Sequence, residues 1–222
     1  MTSLIFNYSI EKDIENFIRG TRAKNSSKPT KLQETYIAQN GTDYDEPKVR
    51  IFLESYKKEI SFDPEKSARE LGENWKKIET PFLQRIEAMF KISYLASHIT
   101  AYLTTNQRCT YNIPENYFFV NFSSKSPNRT IMHELLHFYT WHALHDDLIA
   151  VGIDENQYND IKESLTILLN TEFADLMDGA QDDGYPQHAE MRQKVQELWR
   201  SSKDIRKVAF GVFSLPDPCT SI

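Results

Sequence analysis

Apolar residues in the first part of the chain fall into two patterns. Between residues 10 and 18 they recur at helical spacing, which predicts a short amphipathic helix near the start. At 49–53, 99–103 and 118–122 they occupy every second position, which predicts strands. The polar stretch 24–31, rich in Ser, Lys and Pro, predicts a loop or mobile linker after the first helix.

The remaining pattern is mainly helical. Asp63, Pro64 and Glu65 supply a cap, a proline at the first helical position and an acid in the first turn, so they predict a helix start. Helices are predicted over about 63–80, 81–94, 127–144, 155–177 and 187–205. Most strands then precede most helices, and the predicted fold class is α+β.

Length and composition bound the organisation of the chain. Its 222 residues, 40% of them hydrophobic, suffice for one large domain with a substantial core. Residues 61–222 are predicted to form this domain. Residues 1–60 are predicted to form an N-terminal extension or a sub-structure of unknown role.

Charge and hydropathy narrow the classes of function. A net charge of −6, with scattered basic residues, argues against a nucleic-acid-binding protein. The chain has no apolar run long enough to predict a membrane span, and its first residues show no export signal, so we expect a cytoplasmic protein. In that compartment Cys109 and Cys219 are expected to be reduced thiols rather than a disulfide.

The segment SPNRTIMHELLHFYTWH carries the candidate chemistry. Ser126 and Pro127 can cap and open a helix, which places His133 and His137 one turn apart on the same face. Two imidazoles at this spacing can bind one zinc ion. Glu134 lies about 100° round the helix from His133, beside the metal, where it can act as general base for a water molecule.

This segment resembles the active-site helix of the zincin metallopeptidases, which carry the H-E-x-x-H motif on a helix that follows a strand. The resemblance covers roughly residues 97–205, with 117–123 as the preceding strand. It implies a zincin-like fold, with a small mixed sheet followed by a helical half. It further implies one zinc ion with three protein ligands and a water, and a peptide or protein substrate extended along that strand.

Three subclasses of this family differ in the third zinc ligand. Ala143 stands where the metzincins have a histidine, and Cys109 lacks the Gly-Cys-Leu setting of the peptide deformylases. His142 and His145 have the wrong spacing and are expected to be surface or packing residues. The remaining resemblance is to the gluzincins, in which a glutamate from the next helix completes the site.

Two glutamates could take this role. We favour Glu163, which follows His137 by 26 residues, enough for a turn around Gly152 and a return helix. It also lies in an apolar run, where a metal would compensate a buried carboxylate. Glu172 stays open as the alternative because the nearby Asp175 could orient a histidine. The two lie about 180° apart on a helical wheel, so both cannot face one ion.

A peptidase also needs a hydrogen-bond donor for the oxyanion that forms on the attacked carbonyl. Gluzincin-like enzymes use a Tyr or His beyond the third ligand, and DDGYPQHAEMR offers Tyr185 and His188. The main hypothesis is therefore a zinc-dependent peptidase with Glu134 as general base. Two alternatives stay open: a zincin-fold binding or regulatory protein without turnover, and a metal-dependent hydrolase of a non-peptide bond.

Overall fold

A computed structural model describes residues 3–22, 28–93 and 98–214. Cys219 and the first half of the predicted linker at 24–31 lie outside the described residues, so the thiol prediction stays untested. Within the described residues, none of the helices combines the length and the hydrophobicity that crossing a bilayer requires.

The chain divides into two compact units. The first consists of Met1–Lys77 and Leu95–Pro127, and the second of Ile78–Tyr94 and Asn128–Ile222. The boundary predicted near residue 60 falls inside the first unit.

The first unit contains a four-stranded sheet in the order β1-β2-β4-β3. Its strands are β1 (Ser3–Asn7), β2 (His98–Thr104), β3 (Tyr111–Asn112) and β4 (Tyr117–Asn121). Both β1 and β4 pair with β2 in parallel, and β3 pairs with β4 antiparallel. All of β4 is buried, as expected of an inner strand covered on both faces. The strands predicted around 99–103 and 118–122 are confirmed.

Within its described residues, the first unit also contains four helices. They are α1 (Ile10–Arg22), α2 (Lys31–Asn40), α3 (Glu46–Glu59) and α4 (Pro64–Lys76). Helix α1 contacts β2 and α4 contacts β1, while α1, α2 and α3 share a hydrophobic cluster that includes Phe17 and Tyr36. The side chain of Asp63 accepts a hydrogen bond from the Lys66 amide and caps α4. The helix starts predicted near residue 10 and at Asp63 are therefore confirmed.

The strand predicted at 49–53 is wrong, because these residues lie in α3. Val49, Phe52 and Leu53 are buried at positions i, i+3 and i+4, which is the spacing of one helix face. Ile51, which the alternating pattern would bury, is 70% exposed. When Phe52 is counted with Val49 and Leu53, the same residues fit one face of a helix. This face packs on Phe17.

The second unit is helical. Its helices are α5 (Glu79–Phe90), α6 (Pro127–Ala150), α7 (Glu155–Leu165), α8 (Ile167–Glu172), α9 (Ala189–Ser202) and α10 (Ile205–Gly211). The helix predicted to 144 extends six residues further, and the one predicted over 155–177 is interrupted at Thr166. Pro81 lies in the first turn of α5, where its missing N–H leaves no hydrogen bond unmade.

The order of elements also differs from the prediction. Helices α1 to α5 come between β1 and β2, so strands do not precede most helices. The mixed α and β composition and the small mixed sheet are confirmed. A zincin-like arrangement of these elements stays a prediction.

Candidate metal centre

The motif residues lie in the buried middle of α6. Every residue from Glu134 to Thr140 is buried, on all sides of the helix, which is typical of a helix at the centre of a helical unit. Glu134 and His137 are 6% and 1% exposed for this reason. The His133 side chain, one residue earlier, is 20% exposed. The two imidazole centroids are 4.5 Å apart, as the one-turn spacing predicts.

A tight turn brings the next helix back against α6. Gly152, with φ of 94°, follows the end of α6 in a conformation that favours glycine. Asp154 then caps α7, since its carboxylate accepts hydrogen bonds from the backbone N–H groups of Asn156 and Gln157. The return path predicted around Gly152 is confirmed, and it carries Glu163 to the two histidines.

Three side chains converge at this point. The Nε2 atom of His137 lies 3.4 Å from Oε1 of Glu163, and that of His133 lies 3.7 Å from Oε2. One ligand atom from each of the three residues falls within 4.8 Å of the others. Three ligands about 2.1 Å from a tetrahedral zinc would be about 3.4 Å apart. The cluster could therefore hold a metal ion.

Asp182 fixes the ring of His133 from the other side. Its Oδ2 lies 2.7 Å from Nδ1 of His133, which leaves Nε2 of that ring facing Glu163. The other carboxylate oxygen lies 3.1 Å from the Arg192 guanidinium and 2.8 Å from the Thr166 hydroxyl. Arg192 also donates to the Asp182 carbonyl. Since Asp182 and Arg192 are both buried, this network holds the imidazole in one orientation.

Burial and charge shift the pKa values of the cluster. Burial lowers the pKa of His133, but the hydrogen bond and charge of Asp182 outweigh it and raise this pKa to about 9. Burial, followed by the charges of Lys162 and His133, holds the pKa of His137 well below its usual value. Burial raises the pKa of Glu134 to about 7, which suits a general base near neutral pH.

The alternative ligand Glu172 lies elsewhere. Its carboxylate accepts hydrogen bonds from the Trp199 indole and the Lys203 ammonium, both 2.6 Å away. Asp175, which was considered as a partner for a histidine, is paired with Arg85 through two hydrogen bonds. Of the two candidate glutamates, the structure brings Glu163 to the histidines.

Tyr185 and His188 lie before and within the short 3-10 turn that precedes α9. Nε2 of His188 lies 3.0 Å from Oδ1 of Asp160, one turn before Glu163 on α7. The Tyr185 ring packs edge-on against His188 and is 47% exposed. These contacts place His188 beside α7 as a buried packing residue, and the role of either side chain as an oxyanion donor stays a prediction.

His142 and His145, the other two histidines of α6, are a surface residue and a packing residue, as predicted. His142 is exposed. The ring of His145 stacks on Trp141 with a centroid distance of 3.6 Å, and its nitrogens face Asp146 and Glu155. Neither belongs to the metal-binding group.

Two charged residues of the centre were missed by the sequence reasoning. Asp182 lies beside Asp183 in an acidic stretch, and Lys162 immediately precedes Glu163. The signal for Lys162 was its place in the same apolar run as Glu163. No local pattern marks Asp182, whose contact with His133 spans 49 residues.

Comparison of the chain with protein-family models gives no match. Comparison with curated proteins gives no significant match, nor does comparison with solved structures. The resemblance to the zincins therefore stays a prediction from the motif.

Proposed function

We propose that the protein is a zinc-dependent peptidase that uses Glu134 as general base. The observation that supports this most is the convergence of His133, His137 and Glu163 from two helices. Glu163 was favoured from the sequence for its spacing and its place in an apolar run, and its carboxylate lies against both imidazoles. A partly buried group of this composition provides the two histidines and one carboxylate of many catalytic zinc sites.

The chemistry of the donor atoms fits a cation. Oε2 of Glu163 is buried and has no hydrogen-bond partner among the described residues. Such oxygens carry a substantial desolvation cost that a divalent ion would offset. His137 has a depressed pKa and offers a neutral imidazole, the form that binds metals.

The residues have separate roles in this proposal. Zinc would supply a Lewis acid that polarises a carbonyl group and increases the acidity of a water molecule. Glu134 accepts a proton from water as the peptide carbonyl is attacked, and then donates it to the leaving amine. Asp182 keeps the His133 ring aligned while this happens. Glu134 does not bind the ion, so a substitution of Glu134 tests catalysis separately from zinc binding.

The test is the substitution Glu134→Gln, which keeps the shape of the side chain but removes the base. Hydrolysis of a peptide library is expected to fall by about 10²–10⁴-fold. Elemental analysis is expected to find as much zinc in the variant as in the wild type. His133→Ala is expected to lose the zinc itself.

Glu172→Gln is the matched control, because it makes the same chemical change at a glutamate bound to Trp199 and Lys203. It is expected to keep both zinc and activity. Full activity of Glu134→Gln would contradict the mechanism. A zinc-loaded wild type that cleaves esters or other bonds, but no peptide, would contradict the substrate class and favour a different hydrolase.

A further inference from the structure

A buried lysine contacts the candidate metal centre. Lys162 is 3% exposed, and its ammonium lies 3.3 Å from Oε1 of Glu163 and 3.2 Å from Oδ1 of Asn159. Lysine is rarely buried to this extent unless an anion pairs with it. The position of its charge is therefore set by the carboxylate of Glu163.

The ammonium and a bound cation would share the same carboxylate oxygen. Oε1 of Glu163 is the atom that faces His137, at 3.4 Å, and it is also the carboxylate oxygen that pairs with Lys162. The charge of Lys162 acts on the other members of the centre as well, since it lowers the pKa of both His137 and Glu134. A positive charge 3.3 Å from Glu163 opposes a second positive charge at the same carboxylate.

We propose that Lys162 is a built-in competitor of the metal, which neutralises Glu163 in the metal-free protein and weakens the binding of a divalent ion. This inference rests on the proposed zinc site. Lys162 stabilises the metal-free centre by adding a cation beside a carboxylate that is largely removed from water. The same pairing weakens the binding of an ion, because the ion has to compete with the ammonium for the carboxylate. Lys162 thus sets the metal affinity of the centre without being a ligand.

The test compares zinc affinity in Lys162→Met and the wild type. Methionine keeps the length and apolar part of the side chain but removes the charge. We expect zinc to bind Lys162→Met at least about tenfold more tightly, measured by competition with a chromophoric chelator. In the chelator-treated protein the same variant is expected to melt at a lower temperature, because Glu163 loses its lysine partner.

Two further variants control the result. Lys162→Arg retains a cation and is expected to retain an affinity close to that of the wild type. Lys207→Met removes a charge from an exposed residue of α10 and is expected to change neither readout. Lys162→Gln gives a second neutral variant should the methionine variant fold poorly.

The outcomes distinguish this inference from the function on which it rests. Equal zinc affinity of the wild type and both neutral variants would overturn the competition and leave the metal centre standing. Absence of zinc binding by every variant would overturn the centre and the competition together. Tighter binding by Lys162→Met and Lys162→Gln, but not by Lys162→Arg or Lys207→Met, is the result that supports the inference.

Discussion

Asp182 connects three elements of the second unit, and its replacement by Asn is the most informative test of that network. The side chain is only 7% exposed and contacts His133, Thr166 and Arg192. Asn has nearly the same shape, so Asp182→Asn removes the charge while leaving the volume unchanged. Arg192, whose side chain is also 7% exposed, then becomes a buried cation without its anion.

The size of the effect follows from burial. Removing one partner of a buried ion pair costs about 3–5 kcal/mol, whereas an exposed pair contributes at most about 1 kcal/mol. For a chain of this length each kcal/mol shifts the melting temperature by about 2–4 °C. We therefore expect Asp182→Asn to lower the melting temperature of the chelator-treated protein by roughly 6–20 °C.

Urea unfolding followed by tryptophan fluorescence measures the corresponding loss of unfolding free energy, because Trp141 and Trp199 both lie in the second unit. Asp183→Asn is the matched control, since it makes the same substitution at the exposed neighbouring residue. Adding Arg192→Met to Asp182→Asn removes the unpaired cation and is expected to restore part of the lost free energy. A change below about 0.5 kcal/mol for Asp182→Asn, equal to that of the control, would refute the reasoning.

Repeating the urea unfolding at acidic pH gives an independent test of the Asp182 network. Burial alone would raise the pKa of Asp182, but its hydrogen bond to His133 and the neighbouring charges lower it from 3.8 to about 2. A carboxyl group with a lowered pKa contributes stability that is complete above its unfolded pKa and is lost as pH falls through the folded pKa. The free energy of unfolding of the wild type should therefore decline between about pH 4 and pH 2 more steeply than that of Asp182→Asn.

Two further predictions concern the scaffold. Phe17 is fully buried among the rings of Tyr36, Tyr44 and Phe52. Phe17→Ala is therefore expected to lower the free energy of unfolding by about 3–5 kcal/mol in urea titrations. A loss under about 1 kcal/mol would contradict this packing. Gly152→Ala places a side chain at a positive φ and is expected to lower the free energy of unfolding by about 1–2 kcal/mol, measured as a lower melting temperature. An unchanged melting temperature would argue against the turn.

The motif helix and its partner could be predicted because short-range periodicity determines them. The i, i+4 spacing of His133 and His137 fixes their common face on any helix. The spacing to Glu163 requires only that a turn form near Gly152, where glycine permits the positive φ that the structure shows. These steps depend on residues close together in the sequence.

Other features depend on tertiary packing. The error at 49–53 arose because a short alternating run fits both a strand and a helix, and the contact of Phe52 with Phe17 selects the helix. Asp182 reaches His133 only because the loop before α9 lies over α8, where the Asn170 side chain accepts a hydrogen bond from the Asp182 backbone N–H and donates one to its carbonyl. No spacing rule gives the path of that loop.

The charges of the centre explain why neighbouring substitutions should have opposite effects on zinc affinity. Lys162 and Asp182 lie on different sides of the ligands, one against Glu163 and the other against His133. Removing the lysine cation leaves the ligands with more negative charge and should tighten binding of a divalent ion. Removing the aspartate anion takes away the partner that holds His133 and should weaken binding by about 10–100-fold. If both variants instead weaken binding, general loss of packing explains them better than electrostatics, because only charge predicts effects of opposite sign.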